Sequence, residues 1–247
     1  FGPVGPDQVI NFQIAPNVDM GLLYVLAVGS LAVYGVILAG WSSNNKYAFI
    51  GGLRSSAQLI SYELPLGMSI LGMLLIAGSL DMNRIIAWQT NNVWGVFVQP
   101  LGFILFFTSA FAETNRLPFD LPESEQELVG GFHTEYSAMK FGMFFLGEYL
   151  HIITVSFITA ILFFGGWHLP WITSVDQTSL PSAILKAAIL AGKVGLIILF
   201  IMWVRWTLPR FRYDQLMSLA WKSMIPLALI NLVATAAVVQ LIRTYWT

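Results

Sequence analysis

Long apolar stretches alternate with short polar segments along almost the whole chain. Six of these stretches reach the ~20 residues that a helix needs to cross a bilayer. Their approximate bounds are Val18–Gly40, Tyr62–Leu80, Trp94–Ala112, Lys140–Gly165, Ser182–Val204 and Ser223–Ile242. The pattern predicts an all-α fold, a polytopic transmembrane bundle of about six helices. The pattern also predicts a single domain over residues 1–247.

The polar segments between the stretches predict loops and turns. Residues 41–61 begin WSSNNKYAFIGGLRSSAQ, a polar and glycine-containing run that predicts a loop. The sequence DMNR after Leu80 predicts a short turn. Residues 113–140 predict the longest connection, an acidic loop between the third and fourth spans.

The composition supports a membrane protein and excludes several other classes. The chain is 57% hydrophobic and only 10% charged, whereas soluble domains are about 25% charged. A net charge of −1 gives no support to a nucleic-acid partner. The chain has no cysteine, which excludes disulfides and thiolate-bound iron–sulfur clusters, and its three histidines are scattered. We therefore predict no metal site and no intrinsically bound cofactor.

The basic residues orient the predicted spans. Eight of them fall in the loops 41–61, 113–140 and 205–222, and only three fall on the opposite side. By the positive-inside rule, the acidic loop then lies on the cytoplasmic or matrix side of the membrane.

Carboxylates are concentrated in one part of the chain. Six of the seven glutamates fall between residues 111 and 149, namely Glu113, Glu123, Glu125, Glu127, Glu135 and Glu148. Acids kept between membrane spans predict a functional site. Asp120, Pro122 and Glu123 also form a plausible helix start. A solvated loop whose acids only complement a helix dipole remains the alternative.

Two glutamates are predicted to lie within spans. Glu63 stands at the head of the second span, and Glu148 lies about eight residues into the fourth. A charge at that depth costs at least a few kcal/mol, so such acids are predicted to be neutral, hydrated or paired with a cation. Either a proton carrier or a structural acid that is hydrogen-bonded to a neighbouring helix would fit this description. His151 follows Glu148 by one turn, and either helix packing or a proton relay would explain it. Lys193 is deep in the fifth span, and it either reaches the interface or pairs with an acid, or else it supports the site.

Several basic residues are predicted to support the acids. Arg54 and Arg116 belong to the same side of the membrane as the acidic loop. The last inner loop adds Arg210, Arg212 and Asp214, for which simple positive-inside anchoring is the alternative.

Three motifs carry a resemblance to a known family. They are WSSNNKYAFIGGLRSSAQLISYE, AETNRLPFDLPESEQELVGGFHTEYSAMKFGMFFLGEY and LPRFRYDQLMSLAWK, in this order along the chain. With them the chain resembles the H-type membrane subunit of NADH:quinone oxidoreductase, also called subunit 1 of respiratory complex I. The resemblance implies that the first two spans usual in the family are absent from this sequence.

The resemblance implies a function in the membrane heel of a proton-pumping complex. Glu63, Glu113 and Glu148 correspond to the family's buried proton relay. The quinone-chamber loop corresponds to Arg116, Phe119, Asp120, Glu123, Glu125, Glu127 and Glu135. The substrate implied is a quinone, ubiquinone or menaquinone, whereas NADH, FMN and iron–sulfur clusters belong to partner subunits.

The resemblance also implies partners and a location. The partners would be peripheral-arm subunits that form the quinone site, antiporter-like membrane subunits and lipids. The bacterial cytoplasmic membrane is the expected location, with the mitochondrial inner membrane as the alternative. Rival functions are the same subunit type in a membrane-bound hydrogenase or a ferredoxin- or deazaflavin-dependent relative, a proton-coupled secondary transporter, and a scaffold that only docks the peripheral arm.

Overall fold

The chain folds into a bundle of helices. The computed structural model describes residues 19–120, 131–170 and 180–246. The described helices are α1 Gly21–Ser30, α2 Ala32–Ser42, α3 Lys46–Ala77, α4 Met82–Asn91, α5 Gly95–Val98, α6 Pro100–Glu113, α7 Ala138–Phe163, α8 Leu180–Thr207, α9 Tyr213–Leu219 and α10 Ile225–Trp246.

Several of these helices, alone or joined end to end with a neighbour, are long and apolar enough to cross a membrane. Five candidate spans occur among the described residues, namely Gly21–Ser42, Lys46–Ala77, Ala138–Phe163, Pro181–Thr207 and Tyr213–Tyr245. A sixth apolar helix, α6, has 14 residues and is about 21 Å long. The prediction of an all-α transmembrane bundle of about six helices is therefore confirmed.

The central helix α3 begins far earlier than its apolar run. The predicted loop over residues 41–61 is wrong, because α3 is continuous from Lys46 to Ala77. Asn45 starts the helix by accepting a hydrogen bond from the backbone N–H of Tyr47, at 3.0 Å. The small and polar residues that resemble a loop form a buried helix face instead, Gly51, Gly52, Ser55, Ser56 and Gln58. Small residues allow neighbouring membrane helices to approach closely.

Two other connections also differ from the prediction. After Leu80 the chain forms the amphipathic helix α4 rather than only a short turn, and the side chain of Asp81 caps it. The predicted third span is divided at Gln99, which precedes Pro100 and has a non-helical backbone (φ −132°, ψ 67°). Steric contact with a proline ring disfavours the helical conformation for the residue before it. Helix α5 therefore ends before Gln99, and α6 begins with Pro100 in its first turn.

A π-helical segment separates α9 from α10. Residues Ala220–Met224 have π geometry and pack beside the middle of α3. The indole N–H of Trp221 donates to the Ser61 hydroxyl at 3.2 Å. Pro65 lies one turn after Ser61 and cannot donate to its carbonyl. The π segment therefore packs beside Ser61, and α3 lacks one backbone hydrogen bond near Glu63; π segments often mark functional regions.

The chain after the undescribed residues 121–130 docks on α2 and α3. Gly131 has a left-handed backbone (φ +68°), and its backbone packs against Gly51. The Tyr136 hydroxyl donates to the carbonyl of Ala39 at 2.9 Å. The amide of Asn45 donates to Glu135 at 2.7 Å. These contacts hold the start of α7 against the turn between α2 and α3.

We predict that Gly51→Ala destabilises the protein by about 1–3 kcal/mol, because a Cβ at residue 51 would lie 2.9 Å from backbone atoms of Gly131. Gly67→Ala is the matched control on the same helix, because no atom lies within 4 Å of its added Cβ. Thermal unfolding of the detergent-solubilised protein measures both variants. Equal unfolding temperatures for the two variants would contradict the tight Gly51–Gly131 contact.

Candidate functional site

A cavity of about 660 Å³ lies among α1, α2, α3, the end of α6 and the first half of α7. Much of its wall is apolar. Three glutamates and one histidine from three elements also line it, namely Glu63, Glu113, Glu148 and His151. The structure thus brings the three predicted relay glutamates to one cavity.

Each glutamate is positioned by a different local feature. Glu63 stands on α3, two residues before Pro65. Glu113 is the last residue of α6, where the apolar helix ends. Glu148 lies within α7 and projects to the same side as His151, which follows three residues later. The packing of α3, α6 and α7 therefore decides how the three acids meet.

Arg116 is paired with Glu148. Its guanidinium Nη2 lies 3.1 Å from the Glu148 Oε2 atom, and only 4% of the arginine side chain is exposed. The guanidinium also lies over the Tyr149 ring, at 4.6 Å from the ring centre. Removing either charge from such a buried pair leaves the other uncompensated.

Glu113 faces both an acid and a base. Glu63 lines the same cavity, and its charge repels that of Glu113 when both acids are ionised. On the other side, the His151 Nε2 atom lies 3.6 Å from the Glu113 Oε1 atom. Acids and bases therefore pair crosswise between α7 and the end of α6, Glu113 with His151 and Arg116 with Glu148.

The loop that carries Arg116 is fastened to α3. The amide nitrogen of Gln58, which is fully buried, donates to the carbonyls of Ala112 and Phe119, each at 2.9 Å. The Phe119 ring packs against Tyr62 at 5.8 Å between centres. The Tyr62 hydroxyl donates to the carbonyl of Leu216 in α9 at 2.9 Å. This part of the predicted quinone-chamber loop is therefore held by buried contacts.

The same loop also contacts the segment before α9. Asp120 forms an ion pair with Arg210 at 3.0 Å. The backbone N–H of Phe211 donates to the carbonyl of Pro118 at 3.1 Å, and the Phe211 ring stacks on Phe119 at 5.4 Å. Two motifs that lie about 90 residues apart thus form one docked unit. Arg210 does more here than anchor the chain at the membrane surface.

Other predicted site residues lie elsewhere. Glu123, Glu125 and Glu127 lie outside the described residues, as does most of the predicted helix start at Asp120. Glu135 bonds to Asn45 at an exposed position. Arg54 lies over the Tyr213 ring at 4.9 Å. Arg212 and Asp214 form an exposed pair at 3.3 Å.

Lys193 is not with the glutamates. Its ammonium group donates to the carbonyls of Phe164, Gly166 and His168, at 2.6, 2.9 and 2.5 Å. These carbonyls follow the end of α7, where a helix dipole attracts a cation. Phe164 is 16 residues from Glu148, about 24 Å along a helix. Lys193 therefore caps the opposite end of α7 from the cavity.

Two contacts that build the site were not predicted from the sequence. Gln58 looked like part of a polar loop, and only the packing of α3 reveals its role. His151 was visible as the residue one turn after Glu148, but its contact with Glu113 depends on the fold. Among the described residues, no three His, Asp or Glu side chains are arranged to hold a metal ion.

Comparisons with known proteins agree with the resemblance in the three motifs. The model of a family described as NADH dehydrogenase matches residues 2–236. The chain is 51% identical over 229 residues to an H-type NADH-quinone oxidoreductase subunit of Protochlamydia amoebophila, covering 93% of this chain and 66% of that protein. It is 49% identical over 239 residues to "NADH-quinone oxidoreductase subunit 8" of Rhodothermus marinus, covering 92% of this chain and 70% of that one.

A third relative extends the same result. An H-type NADH-quinone oxidoreductase subunit of Leptospira biflexa is 53% identical over 220 residues, covering 88% of this chain and 60% of its own length. The chain spans about two thirds of the length of these relatives. The family resemblance predicted from the motifs is confirmed.

Proposed function

The chain belongs to the NADH dehydrogenase family, and from this premise we propose that it is a membrane subunit of an NADH:quinone oxidoreductase. In this proposal it forms part of the quinone-access chamber. It also carries a glutamate relay that couples quinone reduction to proton translocation. The observation that carries the proposal is the single cavity lined by Glu63, Glu113 and Glu148.

The relay is supported by the surroundings of the acids. A carboxylate in a partly apolar cavity is stable only when it is protonated, hydrated or paired. Glu148 is paired with Arg116, whereas Glu63 and Glu113 repel each other when both are ionised. Protonation of one of these two acids relieves that repulsion. Such a pair responds to a nearby change in charge by taking up or releasing a proton.

The docked loop supports a link between the quinone chamber and the relay. Residues 114–120 connect Glu113 to the acidic segment 121–130, and the Phe119 ring contacts both Tyr62 of α3 and Phe211 before α9. Arg116 extends from this loop to Glu148. A charge change in the chamber therefore has a short, well-packed route to the relay.

The proposal includes substrate, partners and location. The quinone, ubiquinone or menaquinone, is the substrate, and NADH, FMN and iron–sulfur clusters bind to partner subunits. Peripheral-arm subunits cover residues 113–140, and antiporter-like subunits receive the signal within the membrane. We expect no independent activity from this chain, and we expect the bacterial cytoplasmic membrane as its location.

Glu63→Gln in the assembled complex is the sharpest test of the relay, because Gln keeps the size of the side chain and Glu63 has no ion-pair partner among the described residues. We expect proton translocation coupled to quinone reduction to fall by about 100-fold or more, in the range typical of proton-transfer groups. NADH oxidation by quinone and acidification of sealed vesicles measure it. Asp81→Asn is the control, because Asp81 does not line the cavity and asparagine keeps its role as the cap of α4.

The outcomes separate the relay from its rivals. Normal assembly with lost coupling supports the relay, whereas lost assembly with Glu63→Gln favours a scaffold. Unchanged coupling of quinone reduction to proton translocation in both Glu63→Gln and Glu113→Gln would contradict the proposal. Proton flux through this chain alone in vesicles would favour a secondary transporter.

A further inference from the structure

We propose that His151 shares one proton with Glu113 and is thereby a fourth proton-carrying group of the relay. This inference rests on the proposed function, because it assigns a role within the same cavity. The three glutamates and the histidine that line the cavity come from α3, α6 and α7, and His151 is the one base among these four.

The position of the imidazole supports a partner role rather than simple packing. The Nε2 atom of His151 is buried and has no hydrogen-bond partner among the described residues. It lies 3.6 Å from the Glu113 Oε1 atom, slightly beyond hydrogen-bond distance. A histidine that only fills space would normally satisfy a buried ring nitrogen with a carbonyl or hydroxyl group. A small rotation of either side chain brings the nitrogen and the carboxyl oxygen into a hydrogen bond.

The other charged groups near the pair do not compensate the negative charge of an ionised Glu113. Glu63 faces Glu113 from α3, and Glu148 lies on the same helix as His151. Arg116 is a permanent positive charge close by, but its guanidinium lies against Glu148 and over Tyr149. None of the described residues that line the cavity is lysine or arginine. His151 is thus the group that compensates Glu113 when it ionises.

The proton can move within the pair without a change in total charge. When Glu113 is the acid, its O–H bond breaks and an N–H bond forms at the His151 Nε2 atom. The products are a carboxylate and an imidazolium. An ionised Glu63 disfavours the Glu113 carboxylate and keeps the proton on Glu113. Neutralisation of Glu63 therefore favours transfer of the proton to His151.

His151→Gln in the assembled complex tests the shared proton, because a Gln amide retains a polar contact but cannot take up a proton. We expect a roughly tenfold loss of coupled proton translocation and a changed pH profile of quinone reduction. Thr154→Val is the control. Thr154 lines the same cavity one turn further along α7, and its hydroxyl bonds only to the carbonyl of Leu150 among the described residues.

Infrared difference spectroscopy on the same complexes measures the carboxyl band of Glu113. A purely structural role of His151 would not change the frequency of this band. The carboxyl C=O stretch that disappears in Glu113→Gln belongs to Glu113. We expect this band to shift in His151→Gln and to stay unchanged in Thr154→Val, whether or not the variant complex remains active.

The results distinguish this inference from the proposed function. An unshifted Glu113 band and a wild-type pH profile in His151→Gln would overturn the shared proton, even if Glu63→Gln abolishes coupling. Normal coupling in Glu63→Gln and Glu113→Gln would instead overturn the relay. The band shift would then still report whether His151 and Glu113 share a proton.

Discussion

Arg116→Met is expected to lower the free energy of unfolding by about 3–5 kcal/mol, because it removes one partner of a buried ion pair. The guanidinium is almost fully buried and faces Glu148 at 3.1 Å. Methionine fills similar space but leaves the Glu148 carboxylate without its cation. Thermal unfolding of the detergent-solubilised complex measures the loss.

Two further variants make this expectation specific to the pair. Arg116→Met combined with Glu148→Gln removes both charges and should recover most of the lost stability. Arg212→Met is the matched control, because Arg212 and Asp214 are 76% and 74% exposed and such pairs contribute at most about 1 kcal/mol. Equal losses in the single and double variants would show that Arg116 stabilises the fold through its packing on Tyr149 instead.

Lys193→Met is expected to destabilise the far end of α7 by about 3 kcal/mol, because hydrogen bonds to charged groups are strong and their loss leaves backbone carbonyls without a donor. The ammonium group bonds to three carbonyls between Phe164 and His168. It also lies over the Trp94 ring at 5.0 Å, so its removal weakens the contact with the start of α5.

Hydrogen exchange of the backbone amides of residues 164–170 measures this local effect. Faster exchange there, with little change near Glu148, is the expected result, since the two regions are about 24 Å apart along a helix. Lys222→Met is the control, because Lys222 is exposed in the π segment. Unchanged exchange in Lys193→Met would show that the turn is held without the lysine.

The helical bundle could be predicted from the apolar stretches because hydrocarbon imposes a simple length requirement. A spanning segment must bond its own backbone, and about 20 apolar residues do so as a helix. The concentration of acids between residues 111 and 149 also predicted where a candidate site would be. These features depend on composition and local order, which a single sequence records directly.

The first half of α3 shows the limit of prediction from the apolar stretches. Gly51, Gly52, Ser55 and Ser56 have the composition of a loop, but they are buried where other parts of the chain pack closely against α3. In a membrane protein, small and weakly polar residues also serve as contact faces. Composition alone does not separate the two cases, since the partner surfaces lie elsewhere in the chain.

By itself, the sequence determined that this chain is a membrane-spanning helical protein with acids held between its spans, and its motifs identified the family. Only the tertiary structure decided that Glu113 meets His151, that Arg116 meets Glu148, and that Lys193 belongs to the far end of α7. The physical reason is that the members of these pairs are 25 to 38 residues apart in the chain. Their contacts depend on how α6, α7 and α8 pack, which no local pattern of residues encodes.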